Sequence, residues 1–249
     1  MLQPSRILVV LPNPVGDVVM ATPALAALRE RYAGAHITFL GRGPALATLD
    51  GAGLADATLV EKRPWWRTAA RLRRGRFDGA VLLPNSIRSA LTARAGGAGE
   101  VFGYDRGGRG WLLTRPLAPP REERGRLRAV PQIASYNALA ERAGAPARGR
   151  RDMRLGVREA DAVAADELLG AAGVDPARPV VMLNPWAAYG PSKRWLPERF
   201  AAVADALAER RGAQIIVNAA PAERDVAAAV VATMRHAPAV NFAERDNPL

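Results

Sequence analysis

The chain of 249 residues is 49% hydrophobic, enough for one large or two modest cores, and its 35 basic against 24 acidic residues give a formal charge of +11. With no cysteine and only two histidines, His36 and His236, it lacks the material for disulfides, thiolate zinc sites or a histidine cluster, and no metal or other cofactor is expected. No stretch reaches the roughly 18 uninterrupted apolar residues of a membrane span, residues 1–6 lack the parts of a secretion signal, and a cytoplasmic address is expected.

Residues 7–11 (ILVVL) read as a central strand of a parallel sheet, and residues 21–32 show helical spacing with Leu25 and Leu28 on one face. Between them lies Val15-Gly16-Asp17. Ligands of such sheets sit at the carboxyl ends of the strands. Gly16 lets backbone come close to whatever binds there, while Asp17, beside free helix N–H groups and the positive end of the dipole, is suited to accept a proton. Read alone, Asp17 is more simply a helix cap, since aspartate is a common N-cap residue.

Further strands are expected at 36–40, 57–60, 79–83 and 100–104, with helical spacing between them; that rhythm of βαβ units calls for a parallel sheet. Arg63, Arg67, Arg71, Arg73, Arg74 and Arg76, and later the 121–128 stretch, concentrate charge suited to phosphates, although heavy use of arginine and alanine also fits a compositional bias of the source genome. After the strand at 79–83, Asn85, Ser86 and Arg88 open a helix, where amide, hydroxyl and guanidinium could hold a sugar or phosphate; an ordinary Ser86 cap is the plainer alternative. Residues 105–110 (DRGGRG) read as a surface loop, 136–142 as a helix, and 144–151 as an interdomain linker.

Beyond the linker the pattern restarts, with helices at 159–172, 197–211 and about 222–234 and strands at 180–183 and 214–217. Two strands make a poor sheet, so a sequence truncated relative to a complete protein is expected. The loop at 184–195 (NPWAAYGPSKRW) exposes amide groups beside Lys193, one of two lysines in the chain, and reads as phosphate-binding. The spacing of a Walker loop and of Gly-x-Gly-x-x-Gly is absent. Glu223, at the next strand end, could accept hydrogen bonds from a ribose or could simply be an acidic first-turn residue.

Taken together, Val15-Gly-Asp17 with the following Ala-Thr-Pro-Ala-Leu, the LPNSIRSAL stretch at 83–91, GYDR at 103–106 and AYGPSKRW at 188–195 resemble the ADP-heptose:lipopolysaccharide heptosyltransferases, glycosyltransferase family nine, most closely the type II members. Their order and spacing cover nearly the whole chain. The resemblance implies an α/β protein of GT-B type: two Rossmann-like parallel-sheet domains, residues 1–150 binding acceptor and residues 151–249, incomplete, binding nucleotide sugar. It implies transfer of L-glycero-D-manno-heptose from ADP-heptose to the lipopolysaccharide inner core, a heptosyl-Kdo2-lipid A type of acceptor, with inversion. By the family pattern Asp17 is the general base, Gly16, Asn85, Ser86 and Arg88 lie on the acceptor side, and Ala187, Lys193 and Glu223 face the donor. The family commonly has Pro-Gly-Ala where this chain has Pro185-Trp186-Ala187, and its Asp-Ser/Thr-Gly-x-x-His motif would fall beyond Leu249. A non-catalytic relative that binds acceptor or nucleotide is the alternative. Nucleic-acid binding would suit the charge, but no recognisable module is present. The basic first half further suggests peripheral attachment to the anionic inner face of the inner membrane.

Overall fold

The computed structural model describes residues 4–187 and 191–244, which divide into two compact units at Arg158 and Glu159. In the first, β1 (Arg6–Val10), β2 (His36–Gly41), β3 (Ala57–Val60), β4 (Gly79–Leu82), β5 (Glu100–Tyr104) and β6 (Arg115–Leu117) form one sheet in the order β3-β2-β1-β4-β5-β6. Every pairing is parallel. This is the doubly wound nucleotide-fold order, with its switch point between β1 and β4.

Successive side chains of a strand face opposite ways, and the apolar run of β1 uses both faces. Ile7 and Val9 pack with Val18, Leu25 and Leu28 of α1 (Val15–Arg31) and with Tyr136 and Leu139 of α5 (Gln132–Arg142). Leu8 and Val10 pack on the opposite side with Leu72 of α3 (Trp65–Gly75) and Ala90 and Ala93 of α4 (Ile87–Ala95). A short helix, α2 (Gly43–Ala47), follows β2. The 144–151 stretch is fastened to this unit: Ala145 and Ala147 are buried, the Asn137 amide donates to the Arg150 carbonyl (2.8 Å), and Arg150 clasps both carboxylate oxygens of Glu30.

The second unit has three parallel strands in the order β7-β8-β9: β7 (Val180–Leu183), β8 (Gln214–Val217) and β9 (Val240–Asn241). Its main core lies under α7 (Pro197–Arg211) and α8 (Arg224–Thr233), joining Leu183, Ala204, Ile215, Val217, Ala227 and Val230. The remaining helix, α6 (Glu159–Ala171), has no buried residue.

The end of α1 is tied by an ion pair to the loop before β3. Asp56, just before β3, accepts the Ile37 N–H (2.7 Å) and an Arg29 N–H (2.7 Å), while the same guanidinium donates to the carbonyls of Tyr32, Ala33 and Ala35 beyond the helix end. The Ile37 N–H first, and Arg29 second, hold the Asp56 carboxyl below its ordinary range. Its contribution is therefore present above the ordinary carboxylate pKa and is lost as pH falls through the depressed value. Asp56→Asn should lower unfolding stability at neutral pH by about 1 kcal/mol, the pair being partly solvent-screened, and the difference from wild type should shrink as pH falls below the ordinary carboxylate pKa in matched denaturant titrations.

Candidate functional site

In the first unit the carboxyl ends of β1 and β4 part where α1 leaves over one face and α4 over the other. The loop after β1 runs Leu11-Pro12-Asn13-Pro14 into α1. Pro14 is the N-cap, with no side-chain capping bond, and Asp17 is the third helical residue, its N–H bonded to the Pro14 carbonyl (3.0 Å). A carboxylate at that position ordinarily reaches back to the N-cap N–H. Proline has no N–H, so that bond cannot form. The Asp17 carboxylate, partly exposed, makes no hydrogen bond or ion pair among the described residues. Gly16 is exposed, and a methyl group in place of its hydrogen would meet nothing within 4 Å.

Across the switch point, Ser86 is the plain N-cap of α4: its hydroxyl accepts the Ser89 N–H (3.2 Å). Arg88 is paired with Glu61 at 3.1 Å. Asn85 is exposed and lines a cavity of 60 Å³ with Tyr104, Arg106, Gln132 and Tyr136, at the ends of β4 and β5. The Tyr136 hydroxyl is pushed up to about 12, by burial first and in part by the negative charge of Asp17, so it stays protonated at neutral pH. The structure thus brings Gly16, Asp17, Asn85 and Ser86 to neighbouring strand ends, with Tyr136 beside them as a neutral hydroxyl that the sequence did not single out. A larger groove of 690 Å³ along the side of α1 presents charges already matched, Arg150 with Glu30 and Arg154 with Asp152.

One expectation is overturned. The loop at 105–110 is not wholly a surface loop, because Arg109 is 0% exposed. Its guanidinium donates to the carbonyls of Tyr104 (3.0 Å), Pro84 (2.6 Å) and Ser86 (3.1 Å), to the Ser89 hydroxyl (3.1 Å) and to Asn85 Oδ1 (3.2 Å). Burial lowers its pKa to about 10, with the nearby Asp105 opposing, so it remains a cation at neutral pH. Two glycines in sequence and two charged neighbours masked it; the acceptors that bury it lie up to 25 residues upstream.

In the second unit the strand ends carry asparagines. The Asn218 amide after β8 donates to Asn184 Oδ1 after β7 (2.8 Å), tying the two loops together. Ala187 offers its carbonyl to Arg194 Nε (3.2 Å), and that guanidinium lies 3.5 Å from the centre of the Trp186 ring. The Trp186 ring is therefore held from above by a cation. Lys193 is exposed at the end of a short turn, Pro191–Lys193. Ala188, Tyr189 and Gly190 of the same motif lie outside the described residues. Glu223 accepts the Ala220 N–H at 3.0 Å with one carboxylate oxygen, the first-turn role, and leaves the other oxygen available. Among the described residues no cluster of three or more histidine, aspartate or glutamate side chains could hold a metal, and no helix is long and apolar enough to cross a membrane.

Comparison with known proteins agrees with this architecture. The family described as glycosyltransferase family 9 (heptosyltransferase) matches residues 65–245, a span that begins after Asp17. Among solved structures, ADP-heptose lps heptosyltransferase II of E. coli superposes with a TM-score of 0.76 at 22% identity, covering 96% of this chain and 72% of that one. A family 9 glycosyl transferase from Veillonella parvula DSM 2008 gives 0.81 at 22% identity, covering 95% and 68%. The E. coli heptosyltransferase WaaC with ADP gives 0.65 at 15% identity, covering 95% and 74%. No curated protein sequence matches. The likeness places the α/β architecture, a six-stranded parallel sheet followed by a smaller one, with the GT-B-like fold.

Two glycines of the first unit differ in what a side chain would meet. At Gly16 a methyl group finds open space, whereas at Gly103 it would stand 3.1 Å from Arg109 Nη2 and 3.2 Å from Leu113 Cδ2 inside the sheet. Gly16→Ala should hold or raise the thermal midpoint, as alanine is the better helix former, and Gly103→Ala should lose about 1 kcal/mol or more, both read by thermal denaturation.

Proposed function

The chain belongs to glycosyltransferase family 9, and from that premise we propose that it transfers L-glycero-D-manno-heptose from ADP-heptose to the inner core of lipopolysaccharide with inversion, as heptosyltransferases of type II do. The first unit takes the acceptor and the second the nucleotide sugar. The observation that carries this reading is the Asp17 carboxylate, stationed at the β1 end with its usual helix partner removed by Pro14.

In the proposed step the carboxylate of Asp17 takes the proton of an acceptor hydroxyl as that oxygen forms a bond to the anomeric carbon of heptose, from the face opposite the nucleotide. The bond from that carbon to the diphosphate oxygen breaks, and ADP departs with the electron pair. Lys193 faces the growing negative charge on the diphosphate, and Glu223, through its remaining oxygen, receives a ribose hydroxyl. Asn85 and Ser86 hold the acceptor, with Arg88 acting through its pairing to Glu61. The Tyr136 hydroxyl, close enough to feel the Asp17 charge, stays neutral and can hydrogen-bond the acceptor sugar.

Asp17→Asn removes the proton acceptor and little else. Transfer from ADP-heptose to a heptosyl-Kdo2-lipid A acceptor should fall by about 100-fold or more, within the range typical of general-base catalysis, while ADP affinity by calorimetry stays within about twofold. A variant that keeps most of its rate removes Asp17 from the mechanism. ADP binding by the wild type without any transfer would favour the reading as a non-catalytic relative.

The acceptor's lipid places the reaction at a membrane, and α3 suits that setting. From Lys62 to Phe77 there are six arginines and no acidic residue. Thr68, Ala69 and Leu72 are buried, while Arg67, Arg71 and Arg74 share the exposed side and Trp66 is 55% exposed with the Arg67 guanidinium 5.4 Å from its ring. Such a face favours anionic headgroups, at about 1 kcal/mol per cation near the surface. Arg67→Gln with Arg71→Gln and Arg74→Gln should abolish the preference for phosphatidylglycerol over phosphatidylcholine vesicles in sedimentation; a wild type without that preference would refute peripheral attachment through this helix.

A further inference from the structure

We infer that buried Arg109 is a positioning residue that locks the Asn85 side-chain amide in one orientation, so that Asn85 offers the adjoining cavity hydrogen-bond donors only and selects an acceptor-sugar oxygen that can only accept. This rests on the reading of the first unit as the acceptor side.

The argument begins with the chemistry of the guanidinium, which has five N–H groups and no acceptor. Whatever atom of Asn85 faces Arg109 Nη2 must therefore be the carbonyl oxygen, and Oδ1 stands there at 3.2 Å. The other end of the amide, Nδ2 with two hydrogens, finds no partner among the described residues, and Asn85 is exposed and lines the cavity at the ends of β4 and β5. In an exposed asparagine the two ends of the amide ordinarily exchange places at little cost. Here the exchange would set an N–H against a cation and strip one acceptor from a buried charge, a cost of the order of a lost charged hydrogen bond.

Nothing but arginine fits the position. Nε reaches the Tyr104 carbonyl at the end of β5 while Nη1 reaches Pro84, Ser86 and Ser89 at the start of α4, so one planar group spans two strand ends. A lysine has all its donors on one nitrogen and cannot make both connections. Gly103 makes room for the fork, since a side chain there would crowd Nη2 at 3.1 Å. No carboxylate makes a hydrogen bond to Arg109; Asp105 acts on it through charge alone, and its N–H groups are met by carbonyl and hydroxyl oxygens, of which Asn85 supplies one.

The cavity that receives Nδ2 is also lined by Arg106 and Arg128 and by no carboxylate. Its charged walls are thus cations, beside the neutral Tyr104, Gln132, Ser135 and Tyr136. The oxygen suited to it carries lone pairs and no proton directed at Asn85: a carboxylate, a phosphoryl oxygen or a ring oxygen of the acceptor.

The experiment uses Asn85→Asp, which is nearly isosteric, keeps an oxygen toward Arg109 and puts an acceptor where the donor stood. The thermal midpoint should be unchanged or higher, the KM for a water-soluble heptosyl-Kdo2 core oligosaccharide should rise by about tenfold or more, and the KM for ADP-heptose should stay put. A folded variant with unchanged acceptor KM overturns the inference. Arg109→Lys should show the same selective rise, and the double variant should be no worse than Asn85→Asp alone, because both changes act through one amide; additive losses would mean that Arg109 does no more than support the fold. If Arg109→Lys does not fold, Asn85→Asp decides. A second readout does not need turnover: the Asn85 side-chain amide, identified in the nitrogen-15 spectrum by its loss in Asn85→Asp, should shift when the oligosaccharide is added to wild-type protein. Shift without transfer would sink the catalytic reading and keep this one, and an unmoved amide at saturating oligosaccharide would sink this one.

Discussion

The parting of the chain at the ends of β1 and β4 governs what the first unit can do. Two strands that pair along their length, Ile7 to Gly79 through Val10 to Leu82, send their following helices to opposite faces of the sheet. The backbone that would have filled the space between those exits is carried away on both sides, so Asp17 and Asn85 come to neighbouring strand ends, with Tyr136 of the core beside both. Backbone order creates the opening, and local chemistry then equips it: a proline cap that leaves a carboxylate without its usual partner, a glycine with empty space beyond it, and a buried cation that stiffens the opposite rim.

That rim shows how an apparently costly group can be useful. Isolating a guanidinium from water is unfavourable unless its donors are met, and Arg109 meets them with oxygens from two strand ends rather than with a carboxylate. A carboxylate partner would neutralise the cation and free the loop carbonyls. With oxygens of the backbone as partners, the charge remains and the loop shape depends on it. The second unit uses a gentler version of the same device, in which Asn184 and Asn218 join two loops by one neutral bond and Arg194 lies over Trp186.

Much of this was legible in the order of residues. The spans expected for β3, β5, β7, β8 and α7 coincide with those observed, because each is an apolar or amphipathic run bounded by turn-forming residues. Periodicity could not see β6 and β9, which have three and two residues and owe their existence to the neighbours that pair with them. The first turn of α5, from Gln132, carries only short or mixed side chains and directly follows Pro131, so periodicity does not reach it. For Asp17 the telling signal was present at Pro14, three residues upstream, and lay in what proline lacks. For Arg109 no local signal existed: a cation among glycines reads as solvated, and only contacts across the fold reverse that. Ser86 and Glu223 illustrate the opposite limit, where the plain capping role is present in the structure and any ligand contact must be added to it.

The strand β7 has the all-apolar sequence Val-Val-Met-Leu, the composition of a strand enclosed on both sides, and it holds in the order β7-β8-β9 the place that β1 holds beside β2 and β3. Among the described residues only β8 pairs with it, and Val180 and Met182 are 44% and 50% exposed. An unpaired border of amide and carbonyl groups flanked by oily side chains is adhesive toward any other extended peptide. Charge or proline introduced along that border should therefore reduce association between copies of the chain.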